Sequence, residues 1–154
     1  MPWIIAFVIS WLVFFLLADL RRPAPLLLGG LGAVVIQLLT DVLGQDLQLY
    51  RILQPVLPLW GSSAFFTFGP VITMGALFGQ YLPLSRWLQG LYILVFACLF
   101  LLEEHMLMLA GVLEYTDHWS HPASFGVDLL VFIYLAWLVE SQRVGWRHGV
   151  RAGK

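Results

Sequence analysis

Three ionisable residues, Glu103, Glu104 and His105, stand side by side within an apolar run from Leu88 to Leu113 that is long enough to cross a bilayer. On membrane-insertion scales, a charged residue at the centre of a helix costs about 2.5–3.5 kcal/mol, whereas each Leu, Ile, Phe or Val returns only about 0.3–0.6 kcal/mol. The segment therefore inserts comfortably only if these groups are neutral, paired or hydrated. Ionisable residues at membrane depth are the first candidates for a functional site.

These three side chains cannot all face one cavity. Successive residues of a helix point about 100° apart, so the three fan across roughly 200°. Glu104 shares its face with Tyr115, while Glu103 shares a face that leads outward. Counted from Leu113, Glu104 lies about 14 Å deep, close to the midplane of a hydrocarbon core about 30 Å thick. Glu104 is therefore the strongest candidate for an intramembrane site.

Two further carboxylates approach from the same side of the membrane. Asp41 lies near the end of the second predicted span, and Asp128 lies about one turn inside the start of the last. If the three helices are neighbours, the acids line a cavity that opens outward and deepens toward Glu104. Two simpler interpretations stay open. Asp128, with Ser124 as a helix cap, would complement the helix dipole, and Asp41 would reach interfacial water.

The loop after the fourth span holds a weak candidate metal site. Two histidines and a carboxylate can bind zinc if they converge on one point, and this loop contains Glu114, His118 and His121 at spacings of four and three residues. The segment has no recognised ligand signature, and Pro122 is expected to break any helix after His121. A hydrated polar loop is the simpler interpretation. The chain has no glycine-rich phosphate loop, nucleophile elbow or paired-cysteine motif, and no cofactor is predicted.

The elements that must position these residues are transmembrane helices. Of the 154 residues, 60% are hydrophobic and only 11% are charged, a balance typical of integral membrane proteins. The sequence predicts an all-α bundle forming a single membrane domain over residues 1–154. Five apolar stretches give the predicted spans, namely Trp3 to Ala18, Ala24 to Leu43, Leu59 to Leu82, Leu88 to Leu113, and Phe125 to Val139.

The basic residues predict the orientation in the cell membrane. Seven of the eight lie on one side of the predicted spans, at positions 21, 22, 86, 143, 147, 151 and 154, and only Arg51 lies on the other. Because Lys and Arg are enriched in cytoplasmic loops, the amino terminus is expected outside and the carboxyl tail in the cytoplasm. The spaced charges of the tail are then explained as topology signals that are also attracted to anionic lipid, so no nucleic-acid partner is predicted.

Two local patterns predict how the spans are joined and packed. The stretch from Gly44 to Pro58 fits one or two amphipathic helical turns in the outer interface. Glycines cluster in the second span and again in the third, where Gly75 and Gly79 are four residues apart. Small residues let helices approach closely in lipid, so the second and third spans are expected to lie packed inside the bundle, and a dimer face at Gly75 and Gly79 is the alternative. Pro70 is expected to kink the third span.

The last part of the chain resembles a known group of proteins. The residues that carry the resemblance are Glu104, Gly111, Tyr115, Trp119, Ser124 and Asp128, together with Asp41. They are similar to a family of small integral membrane proteins of about five spans, found mainly in spore-forming Gram-positive bacteria, that has no settled biochemical activity. Members often carry an amide at the position of Asp128 and lack the His118 and His121 pair. The resemblance implies the architecture and a focus on Glu104, Tyr115 and Trp119.

Three functions compete at this point. A binding or transport protein would accept a cation or a small polar substrate at Glu104, helped by Asp41 and Asp128. A scaffold subunit would pair its polar residues with a homodimer partner or another membrane subunit. A membrane enzyme would use Glu104 or His105 as acid or base on a lipid or polyprenyl substrate, with Tyr115 and Trp119 holding the head group. The sequence favours a role without catalysis, because the only second catalytic group at matching depth, His105, lies on another face.

Overall fold

The chain forms a helix bundle with two small sheets at one end. The computed structural model describes the backbone of residues 2–152 and the side chains of residues 2–143. Four long helices are α1 (Pro2–Leu17), α2 (Pro23–Asp46), α5 (Arg86–Leu109) and α6 (His121–Ala152). Between α2 and α5 runs a helix in three parts, α3 (Ala64–Phe66), a π-helical turn (Thr67–Val71) and α4 (Ile72–Tyr81). The strands are β1 (Tyr50–Ile52), β2 (Pro58–Leu59), β3 (Ser62–Ser63) and β4 (Leu113–Tyr115).

The predicted all-α helix bundle is confirmed in its coarse form. Within the described residues, three helices are long and apolar enough to cross a membrane: Pro23–Asp46, Arg86–Leu109 and His121–Arg143. Helix α1 is apolar but shorter, with 16 residues. The predicted span from Leu59 differs at its start, because residues 59–63 belong to the β2–β3 hairpin and helix begins only at Ala64.

Glycines bring α2 and α4 into direct backbone contact, and the sequence predicted that both segments lie inside the bundle. A Cβ atom added to Gly75 would lie 2.6 Å from the backbone oxygen of Gly29, and one added to Gly79 would lie 2.5 Å from that of Pro25. No side chain fits at these positions, so the two backbones pack against each other. The spacing of Gly75 and Gly79 thus serves contact within the chain.

Pro70 lies inside the π-helical turn. Proline lacks an N–H and cannot continue an α-helical ladder, and a wider turn accommodates it. The hydroxyl of Thr73 donates to the backbone oxygen of Gly69 at 2.8 Å, which satisfies a carbonyl of the turn. The predicted irregularity at Pro70 is confirmed, and its form is a π-helical turn.

The loop between α2 and α3 is a strand where the sequence predicted helical turns. Strand β1 pairs antiparallel with β4, with Tyr50 opposite Tyr115 and Arg51 opposite Glu114. Positive φ angles at Gln48 (53°) and Gln54 (47°) turn the chain on either side of the strand. The helical prediction was wrong because the backbone groups of this segment find partners in a loop sixty residues away. We call this part of the bundle the sheet end.

The opposite end of the bundle carries arginines, and we call it the arginine end. Arg86 forms an ion pair with Glu140 at 3.0 Å, and Arg143 Nη1 donates to the backbone oxygen of Leu82 at 3.0 Å. Asp19, beside Arg21 and Arg22, is bonded to Gln80 at the end of α4. The side chains of Arg147 and Arg151, and Lys154 itself, which also entered the orientation prediction, lie outside the described residues.

An aromatic core holds α4, α5 and α6 together. The ring of Phe78, which is fully buried, lies 5.2 Å from that of Phe96 and 5.0 Å from that of Phe132. Such edge and tilted contacts contribute about 0.5–1.5 kcal/mol each beyond the burial of area. This core fixes α5 against α6 and therefore fixes the side chains that both helices direct toward the sheet end.

Candidate functional site

A small cavity at the sheet end brings together the acids that the sequence singled out. Its volume is about 40 Å³, and its walls come from α2, α5, α6 and the β1–β4 sheet. Asp41, Glu104 and Asp128 all line it, with Tyr115 and Trp119. None of the described residues around it is a Lys or an Arg. We call this space the acidic cavity.

Glu104 is held by two hydroxyl groups from separate elements. Its Oε2 atom accepts a hydrogen bond from the Tyr115 hydroxyl at 2.7 Å and another from Ser124 Oγ at 2.6 Å. Tyr115 ends strand β4, and Ser124 lies in the first turn of α6. The two bonds fix the orientation of the carboxyl group within the bundle.

Asp41 is buried, with 1% of its surface exposed. Its Oδ1 atom accepts hydrogen bonds from Gln37 Nε2 at 2.9 Å and from the Tyr50 hydroxyl at 2.7 Å. Its Oδ2 atom is buried and has no hydrogen-bond partner among the described residues. Because α2 continues to Asp46, Asp41 lies inside the helix, and the interpretation that it merely reaches interfacial water was wrong.

Asp128 is also buried, with 5% of its surface exposed. Helix α6 begins at His121, so Asp128 lies beyond its first turn, and Ser124 bonds Glu104 instead of capping the helix. The interpretation of Asp128 as a dipole-compensating acid was therefore wrong. Its Oδ2 atom, like that of Asp41, is buried without a partner in the described part of the chain.

Trp119 completes the set of unpaired polar atoms around the acidic cavity. Its Nε1 atom is a buried donor that finds no acceptor in the described residues. Buried polar atoms are nearly always hydrogen-bonded in folded proteins, so each exception requires an explanation. Here two carboxyl oxygens and one indole N–H belong to residues that line a single space, which suits a polar occupant.

The two tyrosines of the site lie in the β1–β4 sheet, outside the long apolar helices. Burial raises the pKa of Tyr50 above its usual value of 10.0, and the neighbouring Asp41 raises it further. Burial also raises the pKa of Tyr115, with a further contribution from Glu104. Both phenols therefore stay protonated throughout the physiological range and act as hydrogen-bond donors to the acids.

Glu103 and His105, which the sequence also offered as candidates, do not line the acidic cavity, whereas the helical geometry required only that at least one of the three neighbours face elsewhere. Glu103 lines an apolar groove of about 720 Å³ between α1, α4 and α5, and its Oε2 atom is buried without a described partner. His105 is exposed, with its ring 5.6 Å from that of His121. Neither belongs to the group formed by Asp41, Glu104 and Asp128.

The weak metal candidates are not brought together. Glu114 and His118 are exposed, and the ring of His121 packs against that of Tyr115 at 5.1 Å. Across the residues that the structure describes, no three His, Cys, Asp or Glu side chains are placed to hold a metal ion. The expected break at Pro122 was wrong, because Pro122 lies in the first turn of α6, where its missing N–H costs no helical hydrogen bond.

Two residues of the site escaped the sequence reasoning. Gln37 lies one helical turn before Asp41, and a polar residue on the same face of an apolar helix was the available signal. The sequence predicts an interfacial helix at Tyr50, and that prediction gives no indication of the bond from Tyr50 to Asp41. That bond depends on the pairing of β1 with β4, which leaves no local pattern.

No family model, no curated protein and no solved structure matches this chain. The resemblance to five-span proteins of spore-forming bacteria stays a prediction.

Proposed function

We propose that the protein is a five-span membrane protein that binds a small hydrated cation, in exchange with protons, in the acidic cavity. The observation that carries the proposal is the meeting of Asp41, Glu104 and Asp128, from three different helices, around a space whose described lining holds no basic residue. The other proposed spans are α1 and the helix formed by residues 64–81.

Electrostatics supports positive charge as the occupant. Moving a carboxylate out of water costs several kcal/mol even after relaxation, and three carboxylates near one another also repel. The described lining holds no arginine or lysine, and the nearest ionisable base is the exposed His121 beside Tyr115, so protons or a bound cation are the main sources of compensating charge. Glu104 and Asp41 already receive two hydrogen bonds each, which leaves the remaining oxygens for the occupant.

The size of the cavity favours an ion over a larger substrate. A space of about 40 Å³ has room for a few water-sized particles. Sites for small organic ligands usually enclose about 300–1,000 Å³, and a lipid or polyprenyl substrate needs more than this cavity offers. A binding role therefore has more support than the alternative of an enzyme acting on lipid.

The geometry also favours binding that is partly mediated by water. The acids do not form a direct three-ligand metal set within the described residues. Water can donate to the carboxyl oxygens of Asp41 and Asp128 and accept from the indole of Trp119, whereas a bare cation cannot accept from an N–H. A hydrated monovalent ion suits this mixture of acceptors and donor better than a tightly ligated transition metal.

The proposed orientation places the acidic cavity toward the outside. Arg21, Arg22, Arg86 and Arg143 lie at the arginine end, and Arg51 lies in strand β1 at the sheet end. By the rule that cytoplasmic loops are rich in Lys and Arg, the arginine end faces the cytoplasm. The amino terminus and the cavity would then face outward.

The test is ion-dependent stability of the purified protein in lipid nanodiscs. Thermal unfolding is followed in sodium, potassium or choline chloride at equal ionic strength and at several pH values. We expect sodium or potassium to raise Tm relative to choline, and we expect the effect to fade toward acidic pH as protons replace the cation. Glu104→Gln and Asp128→Asn should each remove most of this difference, because they remove a negative charge while keeping polar atoms in place.

Glu103→Gln is the matched control, because it neutralises a carboxyl group one residue away that lies outside the cavity. It should keep the ion-specific rise in Tm. An equal rise in wild type, Glu104→Gln and Asp128→Asn would contradict the proposal.

A further inference from the structure

A second pocket lies at the arginine end, at the opposite end of the bundle from the acidic cavity. It encloses about 600 Å³ between the start of α2, the end of α4 and the described part of α6. Its lining combines the basic Arg22 and Arg143, the polar Tyr81 and Gln142, and the apolar Leu28 and Val139. No acidic residue lines it among those described. We call it the arginine pocket.

Arg143 is held in place by the fold. Its Nη1 atom donates to the backbone oxygen of Leu82 at 3.0 Å, and Leu82 is itself buried and lines the same pocket. A guanidinium has five N–H donors in a rigid fork, so one bond to a carbonyl orients the group and leaves the rest to donate elsewhere. Among the described residues, Arg143 has no carboxylate partner.

Arg22 adds a second positive charge at the rim. Its contact with Asp19 is long, 3.9 Å, and its side chain is 77% exposed, so this ion pair contributes little and can yield to another anion. Arg22 is also the residue that precedes α2, so it lies at the positive end of that helix's dipole, although Pro23 and Pro25 contribute no N–H donor there. The guanidiniums and the helix end therefore contribute the same sign of potential to one pocket.

The apolar floor identifies the kind of anion. Leu84, which is 76% exposed, and the half-buried Leu28 present apolar surface to the pocket, whereas Leu82 and Val139 are already buried beneath it. A free phosphate ion would occupy only a small part of 600 Å³ and would gain nothing from an apolar floor. A lipid presents a charged phosphate next to apolar chains, and basic pockets between transmembrane helices are known sites for such head groups.

We propose that the arginine pocket binds the phosphate group of an anionic membrane lipid, with Arg22 and Arg143 as its ligands. The lipid's phosphate lies at the rim and receives charge-assisted hydrogen bonds from the guanidiniums. Its glycerol region and the start of a chain cover the apolar surface of Leu28 and Leu84. The bound lipid joins α2 to α6 at an end of the bundle where no sheet connects them.

The experiment compares nanodiscs of phosphatidylcholine with nanodiscs that also contain phosphatidylglycerol. Retained lipid is counted by native mass spectrometry, and Tm is measured in parallel. We expect the wild-type protein to retain phosphatidylglycerol and to gain thermal stability from it. Arg143→Gln and Arg22→Gln should each weaken retention about fivefold, and the double variant about twenty-five-fold, if the charges act independently.

The matched control is Arg86→Gln. Arg86 lies at the same end and is 85% exposed, but it pairs with Glu140 outside the pocket. It should retain phosphatidylglycerol as the wild type does. An equal loss in Arg86→Gln would mean a general attraction of the surface for anionic lipid and would overturn the proposal.

Two further arms complete the test. Inorganic phosphate added to phosphatidylcholine nanodiscs should not reproduce the gain in Tm; if it does so fully, the ligand is free phosphate and the lipid assignment is wrong. Arg143→Gln also removes the bond to Leu82, and the loss of that bond by itself lowers Tm in phosphatidylcholine alone. For that reason Arg22→Gln, whose exposed side chain makes no packing contact of that kind, decides the outcome.

Discussion

Glu103 and Glu104 are neighbours in α5, and their carboxyl groups lie in different cavities. Glu104 accepts two hydrogen bonds in the acidic cavity, whereas Glu103 Oε2 is buried in the apolar groove without a partner among the described residues. The same side chain type is therefore satisfied at one position and left unsatisfied at the next. This difference makes the two residues matched probes of each other.

Replacing Glu103 should stabilise the protein. A buried polar group without a partner costs about 1–3 kcal/mol, and Glu103→Leu removes that cost while matching the apolar groove. We expect the free energy of unfolding in detergent or nanodiscs to rise by about that amount. Glu104→Leu should lower it, because the hydroxyls of Tyr115 and Ser124 lose their acceptor. A loss of stability in Glu103→Leu equal to that in Glu104→Leu would show that Glu103 has a partner.

Alanine at the glycine contact should destabilise the bundle. A Cβ at Gly75 would collide with the backbone oxygen of Gly29, so α2 and α4 must separate in Gly75→Ala. Overpacking of this kind costs about 1–3 kcal/mol, measured as a fall in the free energy of unfolding.

The control for this contact is Gly90→Ala in α5, where an added Cβ meets nothing within 4 Å. It should be neutral or stabilising by up to about 1 kcal/mol, since alanine favours helix. Equal effects at Gly75 and Gly90 would contradict the close approach of α2 and α4.

Alkaline pH should expose the coupling between Tyr50 and Asp41. The pKa of Tyr50 is raised in the folded state by burial and by Asp41. Above the unfolded value of about 10, the unfolded chain releases this proton while the folded chain keeps it, so stability falls with rising pH. The slope from one such group is about 1.4 kcal/mol per pH unit.

Tyr50→Phe should remove this contribution, giving a shallower decline of Tm above about pH 10 than in the wild type. Tyr134→Phe, at an exposed position in α6, is the comparison variant and should follow the wild type. Parallel declines in wild type and Tyr50→Phe would argue against the buried pair.

Cysteine labelling should establish which end faces outward. Cys98 is the sole cysteine, so Cys98→Ala gives a background for Ser120→Cys at the sheet end and Ser85→Cys at the arginine end, both exposed positions. A membrane-impermeant maleimide added to intact cells should label the variant at 120 and spare the variant at 85. After permeabilisation both should react. The reverse pattern would mean that the acidic cavity faces the cytoplasm.

The sequence by itself determined the class of fold and the choice of residues to examine. Apolar stretches of membrane-spanning length predict helices irrespective of their neighbours, because a backbone in hydrocarbon must satisfy its own hydrogen bonds. Glycine clusters predicted that the segments of α2 and α4 lie inside the bundle, and the structure adds that these two helices are in contact with each other. Because successive residues of a helix point about 100° apart, the sequence predicted that Glu103 and Glu104 lie on different faces of their helix.

Only the tertiary structure decided which groups meet. Asp41, Glu104 and Asp128 come together because the aromatic core fixes α5 on α6 and because β1 pairs with β4 across sixty residues. Neither contact can be predicted from a local periodicity. Tyr50 lies in a strand where the sequence predicted helical turns, so its contact with Asp41 could not be predicted. Because α6 starts at His121, Ser124 lies inside the helix, where it does not act as a cap and instead donates a hydrogen bond to Glu104. Periodicity indicates which face of a helix or strand a residue occupies. The residues that pack against that face are determined by contacts between segments that are distant in the sequence.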